Sequence, residues 1–238
     1  MTVLPTEAEG RPDSRADDVV AGGRPVGTPK DGSLPVLTRP IDRTIVLVGL
    51  MGAGKSCIGK RLATQLRLPF TDADKEIELA AGCSISDIFA LHGEKSFREG
   101  ERRVIQRLLN NPVHILATGG GAFMDPNTRK LIKERALSIW LRADLDLLVK
   151  RVGRRNERPL LQNVDQRQKL AELMEIRYPV YAEADLTVES TDGPPDATLT
   201  RVIAALETYL AKPAEGGQEK FKHSDSALPE VAARKVAP

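Results

Sequence analysis

The segment that most constrains the fold is a short apolar run that leads into a glycine-rich turn and then a helix pattern. Thr44–Val48 (TIVLV) is rich in β-branched residues and short enough for a buried strand. It is followed by GLMGAGKS at residues 49–56, which fits G-x4-G-K-[ST], and then by the helix-like run IGKRLATQL. A strand, a glycine turn and a helix in this order predict a phosphate-binding loop, with an ordinary glycine-rich turn as the alternative.

The residue types in the turn suit a nucleotide. The glycines let the backbone turn tightly and direct amide groups at phosphate oxygens, and the positive end of the helix adds to the attraction. Lys55 can reach the β- and γ-phosphates, and the Ser56 hydroxyl can ligate magnesium. We therefore predict that ATP is bound by Gly52, Ala53, Gly54, Lys55, Ser56 and Cys57.

Beyond this turn, apolar runs alternate with amphipathic stretches. The further strand candidates are residues 68–71, 114–117, 137–141 and 186–188. Residues 93–109 place apolar side chains on one helical face, Ser84 with Asp87 suggests a capping box, and Asp125 before Pro126 suggests a helix start. Strands alternating with helices predict a parallel sheet with helices on both faces, and ligands then bind beyond the carboxyl ends of the strands.

Composition places this domain between two tails. Residues 1–40 contain six prolines, five glycines and no aromatic residue, so we expect a disordered extension there. We expect the same of the polar residues 213–238, which leaves residues 41–212 as the folded domain. A docking role for either tail is the alternative to a solvated extension.

Charge, cysteine content and apolar run length limit the partners and the compartment. The net charge of +2 creates no strong field, and the chain has only two cysteines. No apolar run approaches the roughly 20 residues that span a bilayer, and the acidic N-terminus is unlike a transit peptide. We expect a cytoplasmic monomer that acts on small molecules, without nucleic acid or membrane as a partner. The histidines lack metal-ligand spacing.

Two carboxylates and a run of glycines follow predicted strands. Asp72 and Asp74 flank one residue, so in extended backbone their side chains point the same way, and they could divide metal binding and proton abstraction between them. Either could instead cap a helix. Gly119, Gly120 and Gly121 remove side chains from a surface where a ligand could approach the backbone, although a flexible turn is the alternative.

Arginines supply the charge that phosphoryl transfer requires. Arg98 borders the apolar helix face, Arg177 precedes Pro179 near an expected helix end, and Arg158 lies in a stretch that could form a mobile lid. A guanidinium group matches a carboxylate with two parallel hydrogen bonds, so an anionic substrate is the natural partner. Each arginine could also be a solvated surface charge.

Taken together, these motifs resemble the shikimate kinases. They are GLMGAGKSCIG, DAD (72–74), GEKSFREGE (93–101), TGGGA (118–122), RPLL (158–161) and RYPVY (177–181). The resemblance covers nearly all of residues 41–212. It implies a P-loop NTPase fold of the nucleoside-monophosphate-kinase type, a three-layer α/β/α sandwich with a five-stranded parallel sheet in the order 2-3-1-4-5 and a mobile lid.

The resemblance also implies a reaction and a set of roles. The reaction is transfer of the γ-phosphoryl group of ATP to the 3-hydroxyl of shikimate, on the chorismate route to aromatic amino acids, with Mg²⁺ as cofactor. The implied roles are Ser56 and Asp72 for the metal, Asp74 for the substrate hydroxyls and as base, Lys55 and Arg158 for the transferred phosphoryl group, Arg98, Arg177 and Gly119–Gly121 for shikimate, and Arg151 with the loop at residues 190–195 beside adenine. Cys57 stands where the family usually has threonine, and we expect activity to survive this departure.

Two other kinds of function stay open at this point. A gluconate or nucleoside-monophosphate kinase of the same fold would share the phosphate-binding loop. However, paired arginines and the surface formed by Gly119–Gly121, which we call the glycine floor, suit a small ring acid better. A non-catalytic nucleotide-binding regulatory module could dispense with the base and the lid cation, yet this chain contains both.

Overall fold

We describe residues 37–153 and 165–211 of a computed structural model. The apolar runs form the strands β1 (Thr44–Val48), β2 (Phe70–Asp72), β3 (Ile115–Ala117), β4 (Ala136–Arg142) and β5 (Leu186–Glu189). The amphipathic stretches form the helices α1 (Lys55–Leu66), α2 (Ala73–Ala81), α3 (Ile85–Leu108), α4 (Pro126–Arg135), α5 (Leu145–Val152), α6 (Gln166–Tyr181) and α7 (Pro195–Ala211). A short 3₁₀ turn occupies Ala122–Met124.

The described strands form one parallel sheet in the order β2-β3-β1-β4-β5. β1 lies at its centre, where Leu47 stands opposite Ala117 of β3 and Ile139 of β4. Every residue of β1 and β3 is buried, which requires helices on both faces of the sheet. On one side α1 packs against α7, and elsewhere α4 packs against β4 and α3. The predicted fold class and strand order are confirmed.

A capping box and an apolar face determine where α3, the helix that carries Arg98, begins and how it is oriented. Ser84 and Asp87 form the predicted capping box at the start of α3: the Ser84 hydroxyl accepts from the Asp87 amide at 3.1 Å, and Asp87 accepts from the Ser84 amide at 3.2 Å. Gly93 interrupts the helical backbone with φ 75°. Beyond it, the predicted apolar face is buried from Phe97 to Leu109. This burial orients the second half of α3, and it places Arg98 beside the sheet's carboxyl edge.

The structure describes the last four residues of the predicted N-terminal extension, residues 37–40. The Thr38 amide donates to the Glu207 carboxylate at 3.0 Å, and Arg39 donates to the Leu210 carbonyl at 2.7 Å. Both contacts lie on the last turns of α7. The other residues of the predicted tails, 1–36 and 213–238, lie outside the described residues.

Among the helices of residues 37–153 and 165–211, we find none with the length and apolar character that crossing a membrane requires.

Candidate active site

A cleft of about 1510 Å³ opens at the carboxyl ends of the strands. Loops that follow β1, β2 and β3 form its walls, because parallel strands all end at this edge. Most of the predicted site residues line it, namely Gly52, Gly54, Lys55, Ser56, Cys57, Asp72, Asp74, Arg98, Gly119, Gly120, Gly121, Arg151 and Arg177. Ala53, within the same loop, is buried. Arg158 and the RPLL stretch lie outside the described residues.

The loop after β1 has the backbone that its glycines predicted. Gly49, Gly52 and Gly54 have φ values of 137°, 85° and 98°, which side chains other than glycine rarely adopt. A Cβ atom on Gly49 would also lie 2.7 Å from the Leu141 carbonyl oxygen. The Lys55 ammonium donates to the carbonyls of Gly49 and Leu50 at 2.7 and 3.0 Å. The lysine therefore folds over the loop where phosphate would lie.

Asp72 combines two contacts at the start of α2. Its Oδ2 accepts from the Ser56 hydroxyl at 2.7 Å, and its Oδ1 accepts from the Asp74 amide at 3.2 Å as a helix cap. The structural and functional interpretations of Asp72 are thus compatible. A hydroxyl and a carboxylate are hard oxygen donors of the kind Mg²⁺ prefers, so this pair fits the predicted metal. Within the described residues, no larger His, Cys, Asp and Glu cluster suits a metal.

Asp74 reaches the cleft by a route that the sequence pattern did not indicate. The extended-backbone argument was wrong for this residue, because Asp72 ends the strand and caps a helix that begins at Ala73. Asp74 therefore lies in the first turn of α2. Its carboxylate still faces the glycine floor, since a Cβ on Gly119 would stand 2.7 Å from Asp74 Oδ1. Only glycine leaves room for this carboxylate.

Arg98 and Arg177 approach the same floor from two helices. A Cβ on Gly121 would lie 2.4 Å from Arg98 Nη1, and Arg177 Nη1 donates to the Gly120 carbonyl at 2.9 Å. Arg177 is only 9% exposed, so its charge is held in a largely dry environment. Two guanidinium groups beside a surface without side chains can bind a flat anionic molecule.

Glu101 is a site residue that our sequence analysis missed. It is 3% exposed, accepts from Arg98 Nη1 at 2.7 Å through Oε2, and keeps Oε1 buried beside Gly119 without a hydrogen-bond partner among the described residues. Burial raises the pKa of the Glu101 carboxyl, and Asp74 adds to this rise, whereas Arg98 opposes both. The sequence signal was an acidic residue inside the apolar stripe of α3.

The ion pairs of Arg98 keep it charged. Burial favours a lower pKa for its guanidinium, but the attraction of Glu101 and Glu94 outweighs burial and raises the Arg98 pKa above its ordinary value. Glu94 accepts from Arg98 Nη2 at 3.1 Å at the exposed side of the pair. The guanidinium is thereby held between a buried and a solvated carboxylate.

Comparisons with known proteins identify the family. The Shikimate kinase family model matches residues 51–207. Shikimate kinase of Paramagnetospirillum magneticum is 61% identical over 176 residues, 74% of this chain and 90% of that protein. The enzyme of Caulobacter vibrioides is 57% identical over 164 residues, 69% of this chain and 82% of that protein. The chain belongs to the shikimate kinase family.

The solved structures agree with this assignment. Shikimate kinase from Acinetobacter baumannii, determined in complex with shikimate, superposes with a TM-score of 0.69 and 37% identity over 71% of this chain and 96% of that chain. The family resemblance that the motifs suggested is therefore confirmed, and with it the reading of the chain as a P-loop kinase.

Arg151 joins the phosphate loop to the loop that follows β5. Its Nη1 donates to the Ser190 hydroxyl at 2.9 Å and the Gly52 carbonyl at 3.3 Å, while Nη2 donates to the Thr191 carbonyl at 2.8 Å. The structure thus brings Arg151 together with the first residues of the 190–195 loop, beside the phosphate loop. Cys57, the departure from the family, is exposed at this side of the cleft.

Proposed function

We propose that the cleft transfers the γ-phosphoryl group of ATP to the 3-hydroxyl of shikimate and releases shikimate 3-phosphate and ADP. Family membership supplies the reaction class, because the chain is an ATP-dependent shikimate kinase of aromatic amino acid biosynthesis. The observation that carries the proposal is the meeting of Asp74, Arg98 and Arg177 on the Gly119–Gly121 floor. These charges suit a small ring that bears hydroxyls and one carboxylate.

In this proposal Arg98 and Arg177 bind the carboxylate of shikimate while the glycine backbone lies against the ring. The guanidinium groups come from different helices, so they can hold the carboxylate from two directions and thereby orient the ring. Asp74 and Glu101 then face the hydroxyls on the other side of the floor. Asp74 orients the reacting hydroxyl and accepts its proton, and the buried Glu101 positions Arg98.

Charge on the transferred phosphoryl group is neutralised from the loop side. Lys55 leaves the loop carbonyls and binds the β- and γ-phosphates, and the start of α1 directs amides at the same oxygens. Arg158 contributes a second cation, as the family resemblance implies. Arg151 and the 190–195 loop border adenine. Phosphoryl transfer requires positioning and charge neutralisation of this kind more than covalent help.

Ser56 and Asp72 hold Mg²⁺ in this proposal, Ser56 directly and Asp72 through its hydrogen bond to Ser56 and metal-bound water. The bound metal neutralises negative charge on the phosphates. The Ser56 hydroxyl can turn its lone pair to the metal because Asp72 accepts its proton in a hydrogen bond. A single hydroxyl and one carboxylate suffice, since Mg²⁺ takes its other ligands from water and phosphate.

Asp72→Asn should raise the Mg²⁺ concentration for half-maximal activity roughly 10- to 100-fold, the usual cost of losing a partner that orients a metal ligand. Asparagine still caps α2, so the fold should be retained. The measurement is a Mg²⁺ titration of ADP release at saturating substrates. Asp144→Asn, the same substitution at the cap of α5, is the matched control. An unchanged Mg²⁺ requirement in Asp72→Asn would remove Asp72 from the metal site.

The test of the acceptor is ADP release from Mg-ATP with purified protein and separate additions of shikimate, gluconate, AMP and CMP. We expect release to depend on shikimate, because two arginines beside a surface without side chains suit a small ring acid better than an open-chain acid or a nucleotide base. Release with gluconate or a nucleotide instead would retain the kinase fold and reject the substrate. ATP binding without stimulation by any acceptor would favour a regulatory module.

We further propose that residues 41–212 are the catalytic unit of a cytoplasmic monomer. The support is that every residue lining the described cleft lies between Met51 and Thr198, whereas Thr38 and Arg39 bind the last turns of α7. The first turn of α7 reaches the cleft at Pro195 and Thr198, so these contacts are about 15–20 Å away along the helix. A shortened chain of residues 41–212 should therefore keep the kinetic constants of the whole chain in steady-state assays of ADP release.

A further inference from the structure

Tyr181 is the largest of the fully buried side chains among the described residues, yet it ends in a polar group. Its hydroxyl donates to the carbonyl oxygen of Gly120. Burial raises the pKa of Tyr181 to about 12, so the hydroxyl keeps its proton and acts as a donor at neutral pH. The phenol is thus aimed at the middle residue of the glycine floor.

The same carbonyl accepts a second hydrogen bond, from Arg177 Nη1 at 2.9 Å. A carbonyl oxygen has two lone pairs, so the Gly120 oxygen uses both on side chains of α6. Arg177 belongs to the pair Arg98 and Arg177 that we propose to bind the substrate carboxylate, which we call the carboxylate clasp. The Tyr181 hydroxyl does not reach the substrate surface. Gly120 therefore joins the floor to the helix that carries Arg177.

A floor of consecutive glycines needs such an anchor. Glycine loses more conformational freedom on folding than any other residue, and no side chain at these positions restricts the backbone. Within residues 37–153 and 165–211, Gly119 and Gly121 accept only local bonds, from the amides of Ala122 at 3.2 Å and Met124 at 3.0 Å. The orientation of the central peptide therefore depends on the donors of α6.

We propose that Tyr181 is a positioning residue for shikimate, which fixes the Gly120 peptide so that the floor and Arg177 keep their relative placement. The inference rests on the proposed binding of the substrate carboxylate by Arg177. When a carboxylate binds, it competes for the Arg177 donors, and the Tyr181 hydroxyl is then the contact that holds Gly120 in place. The residues predicted to bind ATP do not include Gly120.

The chain contains a matched control in the same motif. Tyr178 lies in the preceding turn of α6, and its hydroxyl donates to the Ala143 carbonyl, away from the floor. Both rings pack against Trp140, with centroid distances of 4.9 Å for Tyr178 and 5.9 Å for Tyr181. Removing either hydroxyl leaves the aromatic packing in place. Tyr178→Phe removes the bond to Ala143, whereas Tyr181→Phe removes the bond to Gly120 together with the contact between the phenol and Arg177.

Tyr181→Phe should raise the shikimate KM about three- to tenfold, the effect of one neutral hydrogen bond, and leave the ATP KM within about twofold. Tyr178→Phe should change neither constant. Steady-state kinetics with each substrate varied separately measures the split, and thermal unfolding reports stability for both variants. A Tyr181→Phe enzyme with an unchanged shikimate KM, or equal effects on both substrates, would overturn the proposal.

Arg177→Ala separates this inference from the proposed function. If Arg177→Ala leaves the shikimate KM unchanged, the carboxylate clasp itself is wrong. If Arg177→Ala raises it and Tyr181→Phe does not, only the positioning role fails. The variant that combines Arg177→Ala with Tyr181→Phe should raise the shikimate KM by less than the product of the two single increases, because both side chains bond to the Gly120 carbonyl.

A measurement on the unaltered protein covers the case in which Tyr181→Phe does not fold. With carbonyl-¹³C glycine, the Gly120 carbonyl, which accepts two side-chain bonds, should resonate downfield of Gly119 and Gly121, which accept one amide bond each. When shikimate binds and its carboxylate competes for Arg177, this shift should move only part of the way toward those of Gly119 and Gly121, because the Tyr181 hydroxyl stays bonded to Gly120. A Gly120 shift equal to that of its neighbours would show that the anchor is not formed and would reject the proposal.

Discussion

Replacing Asp74 with asparagine should lower kcat by about 100- to 10,000-fold, the range for removal of a general base, while ATP still binds. Asparagine has nearly the same shape and leaves the backbone amide that Asp72 caps unchanged. It cannot, however, accept the proton of the shikimate hydroxyl. The measurement is steady-state ADP release together with ATP binding at equilibrium.

Asp42→Asn is a suitable control for this substitution, because Asp42 is exposed before β1 and pairs only with its neighbour Arg43. It should retain full turnover. Near-normal turnover of Asp74→Asn would remove the assignment of Asp74 as the base. Loss of ATP binding in the same variant would instead indicate that the cleft had been disturbed as a whole.

Replacing Arg98 with alanine should raise the shikimate KM about 10- to 150-fold and leave the ATP KM little changed. The estimate is the loss of a hydrogen bond between charged groups, about 1.5–3 kcal/mol. Arg102 lies one turn further along α3 and pairs with Asp125 at 2.8 Å outside the cleft. Arg102→Ala therefore removes the same side chain from the same helix and should leave the shikimate KM unchanged.

The Arg98 variant needs a second design because Arg98 also pairs with the buried Glu101. Removing the arginine leaves a carboxylate that is 4% exposed without its counterion, which destabilises the folded state. Arg98→Ala combined with Glu101→Gln removes both charges and should recover stability without recovering shikimate affinity. If the double variant restores the shikimate KM, Arg98 acts only through Glu101 and the carboxylate clasp is wrong.

Local sequence patterns predicted β1 better than β2. β1 was predicted at its observed ends, because five consecutive apolar and β-branched residues in a fully buried strand leave no other interpretation. Residues 68–71 were predicted as a strand, but β2 is Phe70–Asp72. The Leu68 amide instead bonds to Ala63 at the end of α1, at 2.9 Å, a competition between neighbouring elements that the pattern does not contain.

The proline of the RYPVY motif shows the same limit. Pro179 predicted a helix end close by, yet α6 continues through it to Tyr181. Proline removes the hydrogen bond to the carbonyl of Glu175, which lies on the exposed face of α6. Burial of Tyr181 against Trp140 and below Gly120 favours the extra turn. A tertiary contact, absent from the local pattern, outweighs the local cost.

The sequence by itself determined the fold class, the phosphate loop and most of the charged residues of the site. Each of these depends on local properties: the burial pattern of strands, glycines at positions with positive φ, and residue types at short spacing. Only the tertiary structure decided which charges meet. Asp74 faces Gly119 and Tyr181 bonds to Gly120 because sheet order and helix packing join segments that lie 45 and 61 residues apart. Glu101 pairs with Arg98 because the burial of α3 orients both side chains.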